Sequence, residues 1–332
     1  MSTVVESRGH RQIPIVCPGH TRPLAEVQFC AIPEESNRTF LISACHDKLP
    51  MVRDATSGDW IGTFRGHKGA VWSCRLDPAG YLAATASGDF SVKVWDAITG
   101  KDLTTFGHRH IVKTCEFSPD SKFLATGGHE GILRIYNLVN VFENKNDEEV
   151  QPLCIPQLKN EKLIITKCLW KDAKTVIASG SDGTIRFWNI AQTPPTLSHT
   201  LSVDASVRDM ELKELQDGRT LLTIAAGSKV SFFDVTKDDQ SSYPLIHSYT
   251  VPIHFREVNH SIILLYFIEF YCILLNFIKF DSLFFTYSCL LQSLLSFYCR
   301  KEEHHCILLV RNLSLEGVIY GYECLTLTRG RN

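Results

Sequence analysis

The chain has 332 residues, with 34 Lys plus Arg against 36 Asp plus Glu, and a formal charge of −2. That balance lacks the basic surplus that nucleic-acid binders use, although it leaves room for local basic patches. Twelve cysteines are present but no CxxC pair, so zinc-ligand spacing is missing and buried, reduced thiols are expected. No apolar signal core is visible in residues 1–12, which read as a flexible N-terminus.

Residues 13–250 are organised by a repeat. Gly19-His20 precedes FLISACHDKLPMVRD, which closes on Arg53-Asp54. The second unit is the fullest. Gly66-His67 leads into AVWSCRL, a turn at Asp77-Pro78-Ala79-Gly80, then YLAATAS, Gly88-Asp89, and SVKVWD. Those segments predict short strands separated by turn residues. Gly107-His108 opens a third unit that closes on Tyr136-Asn137. A fourth closes on Trp188-Asn189 without its GH, and a weaker fifth on Phe233-Asp234. The closing pairs are spaced by 42, 41, 52 and 45 residues. A period in the low forties with GH and WD signatures marks WD40 blades, each a four-stranded sheet. The fold class expected is therefore all-β, a WD40 β-propeller with about five recognisable blades of an expected seven. One blade cannot bury both faces of its sheet, whereas neighbours stacked around a ring can.

Within the second unit, His67, Thr85, Asp89 and Trp95 match the hydrogen-bonded tetrad of WD repeats, a structural site. A hydrolase-like reading of His, Asp and Thr loses, because blade geometry already uses them. Partial tetrads follow. The first unit has His20, Ser43 and Asp47, with Arg53 in the Trp place. The third has His108 and Thr126, with Glu130 and Tyr136 as replacements. The fourth keeps Asp182 and Trp188. No catalytic, cofactor-binding or metal-binding residue is expected. The long third interval holds VNVFENKNDEEVQ, a polar, acidic stretch that reads as a solvated loop.

Several stretches resemble one WD family more closely than WD proteins in general. They are PGHTRPLAEVQF, LISACHDKLPMVRDATSGDWIGTFRGHKGAVW, and HRHIVKTCEFSPDSKFLATGGHEGILRIYNL. They are similar to the serine–threonine kinase receptor-associated, or Unr-interacting, family. The run from Gly58 to Trp72 and the segment His110-Ile111-Val112-Lys113-Thr114 carry most of the likeness. The resemblance implies a non-catalytic seven-bladed scaffold. Its implied partners are proteins of the SMN complex, which assembles spliceosomal ribonucleoproteins, the RNA-binding protein Unr, and TGF-β receptor pathway proteins. RNA would be reached indirectly, and no cofactor or small-molecule substrate is implied. Cytoplasmic location follows, with a nuclear share. The propeller subunit of translation initiation factor three is the alternative family, and the GDWIGTF–GHKGAVW run favours the first.

HSYTVPI (247–253) is expected to start a sixth blade. The pattern then stops, and residues 251–332 read as an apolar tail foreign to the family. Residues 261–299 contain no Ala, Val, Gly, Pro or Trp. Three readings compete: a membrane segment, interrupted by Glu269, Lys279 and Asp281; a buried helix; and translated A/T-rich intron or mispredicted sequence, which the Phe, Ile, Leu and Tyr content favours. His304-His305-Cys306 is a poor metal cluster, since adjacent strand residues point apart. Ile13–Cys17 has the look of the strand that completes a last blade, with that blade missing. Open sheet edges would then make the chain poorly soluble.

Overall fold

The computed structural model describes residues 14–32, 38–139, 151–156, 163–192, 194–215, 217–237, 242–250, 306–313 and 319–327. The acidic stretch after Val139 and the apolar stretch 261–299 lie outside these residues, so the readings given for them above do too.

The first strand, β1 (Pro14–Cys17), stands apart from five four-stranded sheets. Blade 1 contains β2 (Leu24–Ile32), β3 (Arg38–Cys45), β4 (Met51–Asp54) and β5 (Trp60–Thr63). Blade 2 contains β6 (Val71–Leu76), β7 (Leu82–Ser87), β8 (Ser91–Asp96) and β9 (Asp102–Gly107). Blade 3 contains β10 (Val112–Phe117), β11 (Phe123–Gly128), β12 (Ile132–Asn137) and β13 (Leu153–Pro156). Blade 4 contains β14 (Ile165–Trp170), β15 (Thr175–Gly180), β16 (Thr184–Asn189) and β17 (Thr196–Ser202). Blade 5 contains β18 (Val207–Glu214), β19 (Thr220–Ala226), β20 (Lys229–Asp234) and β21 (Leu245–Thr250). Each sheet is antiparallel with its strands in chain order, as hairpin connections require.

The chain thus forms five blades of a WD40 propeller, and its cores lie between blades rather than within them. Ile42, Ala44 and Val52 of blade 1 pack with Val71, Cys74 and Trp95 of blade 2. Val92 and Val94 of blade 2 pack with Cys115 and Leu124 of blade 3. The same pattern joins blades 3 and 4 through Leu133, Ile165 and Val176, and blades 4 and 5 through Phe187, Met210 and Leu222. The turns after the third strands are set by Asp and Gly. Asp54 and Asp96 accept from the amides two residues on, while Gly58 and Gly100 take φ of +80° and +72°. That left-handed region suits glycine because it has no Cβ.

Two expectations are corrected. Residues 245–250 do not start a sixth blade; they form β21, the outer strand of blade 5, paired with β20. The strand after each closing pair folds straight back across a turn, so it belongs to the blade just completed. Pro14–Cys17 also has a partner: β1 pairs antiparallel with β22 (Cys306–Leu313), which pairs with β23 (Ile319–Leu327). Cys17 itself is buried against Leu24, Val27 and Leu41 of blade 1. Six cysteines, Cys17, Cys30, Cys45, Cys74, Cys115 and Cys168, are buried thiols, while Cys154 is exposed.

Candidate functional site

One irregularity recurs in every inner strand. The pairing register slips between Leu24 and Glu26, Val71 and Ser73, Val112 and Thr114, Ile165 and Lys167, and Val207 and Asp209. Each slip is a β-bulge of one residue, which re-aims the side chains around it. The tetrads of blades 1–3 are built beside these bulges, from the loop entering the inner strand and from the next two strands.

In blade 2 four side chains form an unbroken chain of hydrogen bonds. Trp95 Nε1 donates to Thr85 Oγ1 at 2.8 Å, and the Thr85 hydroxyl lies 2.7 Å from His67 Nε2. His67 Nδ1 lies 2.8 Å from Asp89 Oδ2, which also accepts from the Lys68 amide at 2.8 Å. The other Asp89 oxygen accepts from Ser91. Against the pull of burial, these donors hold the Asp89 carboxyl well below the usual range. His67, Thr85 and Trp95 are buried, so every polar atom in the chain needs its neighbour.

Blade 1 keeps part of this. His20 Nδ1 lies 2.9 Å from Asp47 and Nε2 lies 2.8 Å from the Ser43 hydroxyl. Arg53, in the Trp place, reaches the carbonyls of Pro18 and Gly58 instead. The His20, Cys45 and Asp47 ligand atoms lie within 4.8 Å of one another. Both His20 nitrogens are already engaged, however, and the Cys45 thiol donates to the Arg22 carbonyl at 3.0 Å. In blade 3, His108 Nε2 lies 3.0 Å from Thr126 Oγ1, but Nδ1 faces the Phe106 carbonyl at 3.3 Å. Glu130 does not replace the aspartate. Its longer side chain pairs with Arg134, and Tyr136 stacks on Phe106 at 3.9 Å. In blade 4, Asp182 bonds Thr184 and Arg186, and Trp188 packs against the core shared with blade 3.

The bulges carry a second constellation that the sequence reading missed. The residues just after them are Glu26, Ser73, Thr114, Lys167 and Asp209, all buried. Glu26 accepts from the Cys74 amide at 3.1 Å, Ser73 from the Cys115 amide at 3.3 Å, and Thr114 from the Cys168 amide at 3.1 Å. Blades 1 to 4 are thereby stitched each to the next. Lys167 cannot accept, so the Met210 amide turns to its own Asp209 at 2.9 Å. Charges then cross the axis. Arg75 donates to Glu26 at 2.7 Å and Glu116 at 2.5 Å, while Lys167 pairs with Glu26 and, at 2.9 Å, with Asp209. A bond from blade 4 to blade 1 is possible only where all inner strands converge. Burial alone would raise the Glu26 carboxyl, but the Arg75 and Lys167 charges hold it down at about 2. Glu116, with one guanidinium against its burial, is pushed up.

Five sheets stacked by shared cores, with GH-derived histidines hydrogen-bonded inside them, define a WD-repeat β-propeller. The WD domain, G-beta repeat profile matches residues 58–96, 100–137 and 154–189. The chain is 39% identical over 234 residues to the Dictyostelium discoideum serine-threonine kinase receptor-associated protein, covering 70% of this chain and 72% of that one. It belongs to the serine-threonine kinase receptor-associated protein family. It is also 39% identical over 229 residues to the Homo sapiens relative, covering 69% of this chain and 61% of that one. The chain thus spans about three fifths of the length of the vertebrate relatives it matches. Similarity to translation initiation factor 3 subunit I is more distant, at 28% over 210 residues for Scheffersomyces stipitis.

Two outcomes follow. Thr85→Val strips the shared partner from His67 and Trp95, and should lower stability by about 1–3 kcal/mol in equilibrium unfolding. Burial, helped by the Arg134 charge, holds His108 down at about 4. The fold therefore keeps it neutral while the unfolded chain takes up a proton near 6.5. Its stability contribution is complete above that point and is lost as pH falls toward 4. Between pH 7 and 5 the unfolding free energy should drop by about 1–2 kcal/mol more in the parent chain than in His108→Gln. Equal pH dependence would contradict this.

Proposed function

We propose that this chain is a non-catalytic scaffold of ribonucleoprotein assembly, in the cytoplasm with a nuclear share. The observation that carries the reading is its membership in the receptor-associated WD-repeat family, at 39% identity over 234 residues to one member. The proposed partners are SMN-complex proteins and an Unr-type RNA-binding protein, with TGF-β receptor pathway proteins as a further set. RNA is reached through these partners, and no small molecule is turned over. The tetrads support the non-catalytic part of the reading. His67 and His20 sit with carboxylates and hydroxyls, but His67 is buried and both are consumed by the blades' own bonds. Among the described residues no helix is long and apolar enough to cross a membrane.

Affinity purification of the tagged full chain from cells tests this. SMN-complex or Unr-type proteins should be enriched at least several-fold over a tag-only control. Recovery of initiation-factor subunits instead would assign the chain to translation initiation.

A further inference from the structure

The bulged ends of blades 1–3 carry two residues that cost the fold stability. In the turn between second and third strands, the residue after the acidic position has φ near +70° in four blades. Blades 3 and 4 place Gly131 and Gly183 there, with φ of +69° and +78°. Blades 1 and 2 place Lys48 and Phe90, with φ of +73° and +70°. A bulky side chain in that region is strained, and glycine is the cheap solution the same fold uses twice. Both side chains are exposed, Phe90 at 45%, so burial does not compensate the strain.

The surface around them is continuous and basic. Phe90 packs near His110, which stacks on His129 at 5.0 Å. The bulge residue Trp72 is edged by His46 and covered by the Lys113 ammonium, so blades 1, 2 and 3 meet there. Exposed Arg22, Arg65, Lys68 and Arg109 ring the patch. Among the described residues, the carboxylates of blades 1–3 at this end are already engaged: Asp47 by His20, Asp89 by His67, and Glu130 by Arg134 and, at 4.0 Å, by Arg109. At the opposite end of these blades, Asp54, Asp96 and Asp120 cap their own turns. Among the described residues of blades 1–3, the excess positive charge therefore lies at this end.

We propose that this end of blades 1–3 docks an extended acidic segment of a partner protein, with an apolar residue of that segment set against Phe90. The inference rests on the scaffold reading and names the surface it uses. Charge complementarity selects an acidic ligand. The rings favour peptide over single-stranded RNA: His110 and His129 each spend one face on the other, and Lys113 lies over one face of Trp72, which leaves fewer open faces for base stacking.

The test uses the full chain fused to a solubilising carrier and fluorescence anisotropy. The probes are a short Asp/Glu-rich peptide containing one Phe, its Lys-substituted counterpart, and oligouridine of matched length. The acidic peptide should bind in preference to the other two. The combined variant Lys48→Gly, Phe90→Gly should weaken it about tenfold while leaving the melting temperature unchanged or raised, because strain is relieved. Arg65→Glu with Lys68→Glu should weaken it similarly, and Lys101→Glu at the opposite end should not. Unaltered affinity in the glycine variant, tighter binding of oligouridine, or no binding of the acidic peptide would overturn the assignment. If purification from cells still recovers partners in those cases, the scaffold reading stands and only the docking face falls. If the peptide binds as described but no partner is recovered, the reverse holds.

Discussion

In blades 1–3 the side chain just after the inner-strand bulge reaches across to the backbone of the following blade, and the rest of the structure depends on that stitch. A four-stranded sheet leaves two apolar faces, so no blade is stable until its neighbours are in place. Packing of Val, Ile and Leu between blades supplies most of the burial, but apolar contact is undirected. The bonds from Glu26 to the Cys74 amide, Ser73 to Cys115, and Thr114 to Cys168 fix the height of each blade against the next. Where Lys167 breaks the series, ion pairs to Glu26 and Asp209 replace the missing acceptor. Removing one member of such a buried set leaves an uncompensated charge and costs about 3–5 kcal/mol.

The tetrads serve a different purpose on the same scaffold. In blades 1 and 2 they close the blade on itself, linking the loop before the inner strand to the second strand and the turn after it. Blade 2 has the full chain of bonds; blade 3 has lost its aspartate and compensates by stacking Tyr136 on Phe106. This gradation explains why some blades carry distorted signatures without losing their sheets. The stitches do not pass through those positions, and Trp95, Tyr136 and Trp188 still fill the interblade cores whatever their hydrogen bonds.

How much of this was legible depended on sequence distance. His67, Thr85, Asp89 and Trp95 lie within one repeat, and the GH and WD pairs locate them on known strands. The blade count follows from the same spacing. The axial network does not, because Lys167 and Glu26 are 141 positions apart and neither belongs to a signature pair. A signal was nonetheless present. Aligning the inner strands LAEV, VWSC, VKTC, ITKC and VRDM puts Glu26, Ser73, Thr114, Lys167 and Asp209 in one polar column, each followed by an apolar residue. The placement of residues 245–250 was misread for a related reason: a repeat defined from GH to WD is offset by one strand from the sheet it builds. The replacement of glycine by Lys48 and Phe90 was visible in sequence but had no meaning until the turn's φ was known.

The central claim is that axial stitching makes the blades one cooperative unit. Equilibrium unfolding of Glu26→Gln, followed by both far-ultraviolet circular dichroism and tryptophan fluorescence, tests it most directly. The substitution weakens the bonds to Arg75, Lys167 and the Cys74 amide at once. The account predicts a loss of about 3–5 kcal/mol in a transition that both probes still report together. A loss below about 1 kcal/mol, or a parent chain whose two probes already separate into independent transitions, would contradict it.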